Sequence, residues 1–247
     1  MIKKTRPPVG LSVIIPVYNE EEAIGPLLEE LREVLAQLPL RWEVVVVDDG
    51  STDRTQEAIR EQSADFPEER LRLVPLERNS GQTAAFDAGF KSCRGEIIVT
   101  MDGDGQNDPH DIPQLLERLD GYDAAYGVRA DRRDSWLRHV SSQIANGVRN
   151  WILHTRYRDV GCSLKAFRRQ TIEELPLYQG LHRFFPNLLE MRGYRGIEVE
   201  VSHRPRERGR SKYSSVGRAI PALLDCLMVR RMQTRRLRYR MEEEERR

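Results

Sequence analysis

The sequence is organised around the stretch Glu96-Ile97-Ile98-Val99-Thr100-Met101-Asp102-Gly103-Asp104-Gly105-Gln106-Asn107-Asp108-Pro109. Its apolar residues, Ile97 to Met101, predict a strand that is buried on both faces of a parallel sheet. The strand ends in carboxylates, glycines and a proline, so polar groups gather past its carboxyl end, where open α/β sheets bind ligands. Asp102 and Asp104 can aim oxygens at one hard divalent cation, which takes substrate phosphates as further ligands. For these residues alone, a solvated turn rich in Asp and Gly is the alternative interpretation.

The composition is that of a globular protein with one large domain. The chain has 247 residues, of which 39% are hydrophobic and 32% charged, enough for a sizeable core. A formal net charge of +1 offers no global positive field, so we expect no nucleic-acid partner. Cys93, Cys162 and Cys226 lack CxxC spacing, which predicts reduced thiols without a disulfide framework or zinc site. Residues 1–10 lack the apolar segment of a signal peptide, and no apolar run approaches the roughly 18 residues of a membrane span.

Strand and helix patterns alternate through the first half of the chain, which predicts a doubly wound, mostly parallel α/β sheet with helices on both faces. Carboxylates follow two strands, at Asp48-Asp49 and at Asp102 and Asp104. Right-handed crossovers place these strand ends along one edge of the sheet. The predicted strands are Leu11–Pro16, Trp42–Val47, Leu71–Leu76, Ile97–Met101, Ala124–Val128 and the half-exposed Ile197–Val201, and the predicted helices are residues 21–38, a segment from Thr52 or Asp53 to Ser63, Gly81–Ser92, Ile112–Leu119 and Trp136–Leu153.

The turn after the first strand indicates a nucleoside site. It holds Pro16-Val17-Tyr18-Asn19-Glu20 instead of the G-x-G-x-x-G of a dinucleotide-binding fold, and the chain has no Walker lysine motif. A proline, an aromatic ring and a carboxylate suit a flat base and a ribose better than a pyrophosphate. A half-buried core aromatic is the alternative for Tyr18, and a cap or turn residue is the alternative for Asp48.

Four motifs, in order, resemble those of the inverting family 2 glycosyltransferases of GT-A fold. They are Pro16-x-Tyr18-Asn19-Glu20, Asp48-Asp49-Gly50-Ser51-x-Asp53, Asn79-x-Gly81-Gln82 and Asp102-x-Asp104-x-Gln106. The resemblance runs from about Leu11 to Lys212, and within the family the chain is most similar to the dolichyl- or polyprenyl-phosphate sugar synthases that use mannose or glucose. It implies a nucleotide-sugar donor, GDP-mannose or a UDP-sugar, and Mg²⁺ or Mn²⁺ that bridges the donor diphosphate.

The resemblance also implies roles for individual residues. Gly103 would let the backbone approach the ribose or a phosphate, and Arg129 would lie near the diphosphate. A basic loop, Arg204 to Tyr213, would close over the diphosphate, and a basic surface patch is the alternative for this loop. The implied catalytic groups are Asp102, Asp104, Arg129, Arg206 and Lys212; the nucleoside contacts are Pro16, Tyr18, Glu20, Val47 and Asp49; and the metal ligands are Asp102, Asp104 and Gln106.

Three further residues are candidates for the acceptor side. Arg132 and Arg133 lie in a run of mixed charges, which fits either an anionic acceptor or a solvated face. Asp159 begins a segment, Asp159 to Arg169, that resembles the family segment beneath the acceptor site. A hydroxyl acceptor needs a carboxylate base, whereas a lipid monophosphate is already an anionic nucleophile. Since the chain has no Gln-x-x-Arg-Trp signature and no clear Glu-Asp base pair, we expect a single transfer to a polyprenyl (dolichyl or undecaprenyl) phosphate.

The residues from 219 onwards form an apolar and then basic tail, which we separate from a glycosyltransferase domain at residues 1–218. Ala219–Val229 is apolar except for Asp225 and is too short to span a membrane, so it predicts a core helix or a helix in the membrane interface. The arginines that follow favour peripheral contact with an anionic leaflet, and hence a cytoplasmic protein at the inner face of the membrane. A soluble enzyme that glycosylates a hydroxyl group, and a non-catalytic nucleotide-sugar-binding scaffold, are the alternatives. No pattern indicates an oligomeric state.

Overall fold

Seven strands form one sheet in the computed structural model, which describes residues 9–67, 69–130, 146–173, 175–205 and 219–236. All of these strands except β6 run in the same direction, which confirms the predicted mostly parallel sheet. The strands are β1 (Leu11–Val17), β2 (Trp42–Asp48), β3 (Leu71–Pro75), β4 (Ile97–Thr100), β5 (Ala124–Arg129), β6 (Lys165–Arg168) and β7 (Gly196–Val201).

The order of the strands places the acidic turns next to each other. Across the sheet it is β3-β2-β1-β4-β6-β5-β7, so β1 lies between β2 and β4. The register sets Ile14 of β1 beside Val45 of β2 and Thr100 of β4. Because these three strands are parallel neighbours, their carboxyl ends open onto one edge of the sheet.

Helices cover both faces of the sheet, as the alternating pattern predicts. Every residue of β1 and β2 is buried, and successive side chains point to opposite faces. Ile15 and Val46 pack with α1, α2 and α4, whereas Ile14 and Val45 pack with α3, α6, α7 and α8. The helices are α1 (Ile24–Ala36), α2 (Thr55–Gln62), α3 (Gln82–Ser92), α4 (Ile112–Glu117), α5 (the described helical residues 146–153), α6 (Arg169–Glu173), α7 (Phe185–Arg192) and α8 (Ala219–Thr234), with short 3₁₀ helices at Pro109–Asp111 and Leu181–Phe184.

Two predicted helices begin later than expected, because polar residues ahead of them hold a turn. Glu21 precedes α1, and its carboxylate accepts the N–H of Arg54 at 2.9 Å. Asp53 precedes α2, and its carboxylate accepts the N–H of Thr55 at 3.0 Å. The first bond joins the turns after β1 and β2, and the second holds the turn just ahead of α2.

The second half of the chain contains one strand that the pattern did not predict. β6 lies within the segment assigned to the acceptor side and pairs antiparallel with both β4 and β5. The predicted strand Ile197–Val201 is confirmed as β7, which begins one residue earlier at Gly196. Of the helix predicted over Trp136–Leu153, residues 146–153 are helical, and the remainder lies outside the described residues.

The helix predicted from Ala219 onwards is α8, and one side of it belongs to the core. Cys226 and Val229 are buried among residues of α7 and α3. The Gln233 side-chain amide donates to the Leu153 carbonyl at 3.2 Å, which joins α8 to the end of α5. In the described parts of the chain, each helix is too short or too polar to cross a membrane.

Candidate active site

A cleft of about 690 Å³ opens at the carboxyl ends of β1, β2 and β4. It is lined by the turns after these strands and the start of α3. The other side is formed by Gln179, Gly180, His182 and Arg183 and by Pro221 and Asp225 of α8. Val47 does not line it, because its side chain is fully buried in the core. The other predicted nucleoside contacts, Pro16, Tyr18, Glu20 and Asp49, all line the cleft.

The turn after β1 is fixed by the turn after β2. Asn19 has a φ of 52°, and its Oδ1 accepts the N–H of Thr52 at 2.7 Å. Its own N–H donates to Oγ of Ser51, and the N–H of Glu20 donates to Oγ1 of Thr55, both at 2.8 Å. A short polar side chain such as asparagine tolerates this left-handed conformation, so the motif residue Asn19 shapes the turn that carries Glu20 into the cleft.

Asp48 is a turn residue, which was the alternative interpretation of its sequence position. Its Oδ1 accepts the N–H of Ser51 at 3.2 Å, and its Oδ2 accepts a hydrogen bond from the Gln56 side chain at 2.6 Å. The following Gly50 has a φ of 71°, and a Cβ there would lie 2.5 Å from the carbonyl carbon of Arg78. Both carboxylate oxygens of Asp48 thus accept hydrogen bonds that stabilise the turn after β2.

Asp49 holds the start of α3 against the end of β2. Its two carboxylate oxygens accept the N–H groups of Ser80 and Gly81, at 2.7 and 2.9 Å. This contact brings the Asn79-x-Gly81-Gln82 motif to the cleft. Since each carboxylate oxygen can accept more than one hydrogen bond, Asp49 keeps acceptor capacity for a base as well.

The acidic turn after β4 presents its two carboxylates from a fixed backbone. The N–H of Asp102 donates to Oδ1 of Asn107 at 2.9 Å, and the N–H of Gln106 donates to Oδ1 of Asp104 at 3.2 Å. The side-chain amide of Gln82 donates to Oδ1 of Asp102 at 2.8 Å. The predicted metal-motif residues Asp102, Gly103, Asp104 and Gln106 all line the cleft.

Gly103 lets this turn lie against the end of β1. A Cβ at this position would be 2.4 Å from Cγ1 of Val17 and 3.3 Å from the carbonyl oxygen of Pro16. No other residue type fits without movement of one of the two segments. The close approach therefore sets how far the carboxylates on either side of Gly103 stand from the nucleoside turn.

The charges of the acidic turn suit a divalent cation. Burial and, to a smaller extent, the neighbouring charge of Asp104 together raise the pKa of Asp102 to about 6. A cation beside these oxygens would favour the ionised form of both groups. The amide nitrogen of Gln106 is directed at the carbonyl of Arg204, at 3.3 Å, which leaves Oε1 as its ligand atom. Asp102, Asp104 and Gln106 thus offer an oxygen ligand set of the kind that Mg²⁺ and Mn²⁺ take.

A second acidic cluster, Glu30, Asp108 and His110, has ligand atoms close enough to hold a metal ion. The guanidinium group of Arg204 already lies in it, 2.7 Å from Glu30 and 2.8 Å from Asp108. The arginine supplies the positive charge that the two carboxylates need. This cluster joins α1 to the residues after β7, and we assign it a structural role.

Arg129 and Asp159 form a bidentate ion pair, with Nε–Oδ2 and Nη2–Oδ1 distances of 2.7 and 2.9 Å. The sequence assigned Arg129 to the diphosphate and Asp159 to the acceptor, and neither lines the cleft.

Close by, the ammonium group of Lys165 is buried and donates to the carbonyl oxygens of Val160 and Cys162. Lys165 was not a candidate from the sequence, because a lysine that begins a four-residue strand ending in arginine gives no local signal of burial.

Four of the cationic residues that the sequence assigned to the substrates have no described position relative to the cleft. Arg132 and Arg133 lie within residues 131–145, and Arg206 and Lys212 lie within residues 206–218, all outside the described residues.

Sequence reasoning also missed one wall of the cleft. His182, Arg183 and Asp225 line it together with Gly180 and Pro221. They come from the 3₁₀ helix before α7 and from α8, far along the chain from the motifs. A histidine and an arginine in a mixed segment carry no periodic signal, so only the fold brings them to attention.

Comparisons with known proteins place this geometry in a family. Residues 12–175 match the model described as Glycosyl transferase family 2. A solved structure of glucosyl-3-phosphoglycerate synthase from Mycobacterium tuberculosis, in complex with Mn²⁺, UDP and phosphoglyceric acid, is similar with a TM-score of 0.69. It shares 19% sequence identity, over 90% of this chain and 78% of that chain, and so supports the fold alone.

Two curated relatives are polyprenyl-phosphate sugar transferases. Dodecaprenyl-phosphate galacturonate synthase from Rhizobium johnstonii is 40% identical over 236 residues, 92% of this chain and 69% of that protein. Undecaprenyl-phosphate 4-deoxy-4-formamido-L-arabinose transferase from Edwardsiella ictaluri is 40% identical over 204 residues, 82% of this chain and 62% of that protein. This chain thus spans roughly two thirds of the length of these relatives. The GT-A fold class predicted from the motifs is confirmed, and the chain belongs to glycosyl transferase family 2.

Proposed function

We propose that this chain transfers one sugar, with inversion and with the help of a divalent cation, from a nucleotide-sugar to a polyprenyl phosphate. The observation that carries the proposal is the cleft in which Asp102 and Asp104 face the same space as Tyr18, Glu20 and Asp49. The two relatives are named for transfer to dodecaprenyl and undecaprenyl phosphate, which supports the acceptor class. A GDP- or UDP-linked sugar is the donor we expect.

The donor is held in a fixed position by turns that the fold has already ordered. The base and ribose lie against Tyr18 and Glu20, and the diphosphate lies beside the acidic turn. Gln82 orients the carboxylate of Asp102 through its amide. Asp102, Asp104 and Gln106 would hold a Mg²⁺ or Mn²⁺ ion, which would supply positive charge beside the leaving nucleoside diphosphate.

The chemical step needs little from the protein beyond positioning and charge. An oxygen of the acceptor phosphate attacks the anomeric carbon from the face opposite the diphosphate. The anomeric C–O bond to the donor breaks, and its electron pair leaves on the nucleoside diphosphate. Because the acceptor oxygen is already anionic near neutral pH, no side chain has to remove a proton.

Arginine and lysine side chains bind the two anionic groups of this reaction, the donor diphosphate and the acceptor phosphate. Arg129 lies at the end of β5 with its guanidinium oriented by Asp159. We assign it, with Arg206 and Lys212, to the charge that develops on the diphosphate, and Arg132 and Arg133 to the acceptor phosphate. Asp159 acts through Arg129, by fixing the plane in which its remaining N–H groups point.

The outer face of α8 supports a peripheral contact with the membrane, at its inner face. The buried side of this helix holds Cys226 and Val229, while four apolar side chains are 38–60% exposed on the other side. Trp151 on the neighbouring α5 is 77% exposed. Such a surface can lie in the acyl boundary while nearby arginines contact anionic headgroups. The four exposed residues of α8 are Leu223, Leu224, Leu227 and Met228.

Transfer can be measured directly with radiolabelled nucleotide sugars and polyprenyl phosphate in detergent micelles. We expect a lipid-linked product with one or more donors in the presence of Mn²⁺ or Mg²⁺, and loss of that product with a chelator or in Asp104→Ala. A product that forms equally well in Asp104→Ala would contradict the proposal. Transfer only to a hydroxyl acceptor in detergent-free solution would contradict it as well.

A further inference from the structure

Arg183 is the one lysine or arginine that lines the cleft among the described residues. The charged side chains that share the cleft with it are acidic: Glu20, Asp49, Asp102, Asp104 and Asp225. Arg183 is half-buried, and it makes no hydrogen bond or ion pair with any residue that the structure describes. A half-buried guanidinium group that has no partner among the described residues is suited to bind an anionic ligand.

Asp225 does not serve as the partner of Arg183, because it is packed against Gly180. A Cβ at Gly180 would lie 2.4 Å from Oδ2 of Asp225, so the carboxylate rests on the glycine backbone. Gly180 also has a φ of 85°, which favours glycine at this position. The contact holds α8 to the segment that carries Arg183, and no carboxylate of the described residues forms an ion pair with the guanidinium group.

His182 offers a second donor beside Arg183. Oγ1 of Thr83 accepts the N–H of Gly180 at 3.0 Å and lies 2.7 Å from Nδ1 of His182. The single hydroxyl hydrogen of Thr83 has Nδ1 as its described acceptor, so we assign the imidazole proton to Nε2. Burial, helped by the charge of Arg183, lowers the pKa of His182 to about 3, so the ring is neutral and donates through Nε2–H.

Thr83 links His182 to α3, the helix that also carries Gln82. Thr83, which contacts His182, directly follows Gln82, which contacts Asp102. Consecutive Cα atoms are about 3.8 Å apart. Gln82, which contacts Asp102 of the metal motif, and Thr83, which contacts His182 of this wall, are therefore neighbours in α3. A group bound to this wall would therefore lie in the same cleft as the metal motif.

We infer that Arg183 and the Nε2–H of His182 bind an anionic group of a substrate, either the carboxylate of a uronic-acid sugar on the donor or the phosphate of the acceptor. The inference rests on the proposed function and names the substrate chemistry of the same cleft. A planar guanidinium group binds both carboxylate and phosphate with paired hydrogen bonds, whereas a neutral sugar hydroxyl needs no cation.

Binding measurements separate the two sources of the anion. Isothermal titration calorimetry with Mn²⁺ compares UDP, UDP-glucose and UDP-glucuronate, with GDP, GDP-mannose and GDP-mannuronate as the parallel set. If the sugar carboxylate is the ligand, Arg183→Gln weakens uronate-donor binding about tenfold and leaves the neutral donors unchanged. If the acceptor phosphate is the ligand, donor affinities stay the same and the KM for polyprenyl phosphate rises about tenfold in the transfer assay. Arg183→Lys keeps the charge and retains part of either effect.

The control is Arg118→Gln, at an exposed position just after α4, which we expect to behave as wild type. Circular dichroism checks that each variant is folded. An equal loss of affinity for UDP and all UDP-sugars in Arg183→Gln would assign the guanidinium group to the diphosphate and overturn the inference. Unchanged donor affinities together with an unchanged acceptor KM would overturn it too. Donor binding without any transfer would instead refute the proposed function, and absence of nucleotide binding would refute both.

Discussion

Alanine at Gly103 tests whether the close approach of the acidic turn to β1 positions the metal motif. A Cβ there would stand 2.4 Å from Cγ1 of Val17, whereas ordinary contacts of this kind begin at 3.4 Å. Val17 is buried and β-branched, so its methyl groups have little freedom to rotate away. The turn that carries Asp102 and Asp104 must therefore move by about 1 Å, a displacement that can lower a catalytic rate about 100-fold.

The same overlap predicts a modest effect on folding. Forcing one extra methyl group into a packed site lowers the free energy of unfolding by about 1–3 kcal/mol. The φ of Gly103 is not in the left-handed region, so alanine meets no backbone penalty there. We therefore expect a folded variant with weak Mn²⁺-dependent donor binding, and kcat/KM for sugar transfer about 100-fold below wild type.

A double variant shows whether the contact with Val17 is the cause. Val17→Ala removes Cγ1, so Val17→Ala/Gly103→Ala should recover donor affinity relative to Gly103→Ala, although it is less stable than wild type. Gly147→Ala is the control, because a Cβ there has nothing within 4 Å. Donor affinity follows from calorimetry with Mn²⁺, and stability from urea denaturation.

Two outcomes would refute this reasoning. One is a folded Gly103→Ala protein that binds donor and transfers sugar as wild type does. The other is a double variant that remains folded yet binds donor as poorly as Gly103→Ala, since the overlap with Val17 would then not be the cause.

Two other perturbations test the fold and the membrane contact. Glu43 is buried, and although burial raises its pKa, hydrogen bonds from Ser12 and Arg94 outweigh that effect and lower the pKa below its ordinary value of 4.5. A lowered pKa in the folded state stabilises the protein above pH 4.5, and this contribution is lost as the pH falls through the folded-state pKa. We therefore expect Glu43→Gln to lower the free energy of unfolding by roughly 2–3 kcal/mol at pH 7 and by less in acid, as measured by denaturation at several pH values; an equal loss at every pH would contradict this. On α8, Leu224→Ser/Leu227→Ser should abolish flotation with anionic liposomes and change the unfolding free energy by about 1 kcal/mol or less, because both side chains are about half exposed; unchanged flotation would rule out the membrane contact.

The sequence predicted the half of the sheet at whose edge the cleft lies. In β1 and β2 nearly every residue is apolar, so burial on both faces leaves a clear signal, and the polar turns after β1, β2 and β4 mark the ligand edge. β6 was missed because it has four residues and begins and ends in a charged side chain. Lys165 in β6 is nevertheless buried, and its ammonium group is satisfied by carbonyl oxygens that adjoin it only in the folded chain.

The site residues were predicted as a set, but their partners were not. Asp49 was assigned to the nucleoside, and the structure adds that its carboxylate holds the N–H groups of Ser80 and Gly81. Arg129 and Asp159 were assigned to different substrates, yet they form one ion pair across 30 positions of sequence. Such contacts depend on how strands from distant segments align, and no local pattern encodes them.

Several side chains that we propose as ligand contacts also support the fold. Asp49 caps the start of α3, and Gln82 from that helix orients Asp102, so a change at the nucleoside end reaches the metal motif through two hydrogen-bonded contacts. Loss of activity in Asp49→Ala would therefore not distinguish a lost base contact from a displaced Asp102. Gly103 and Arg183 are better probes, because Gly103 acts through steric contact with β1 and Arg183 makes no hydrogen bond or ion pair with any described residue. We expect variants at these two positions to change substrate binding without removing a hydrogen bond or ion pair that supports the fold.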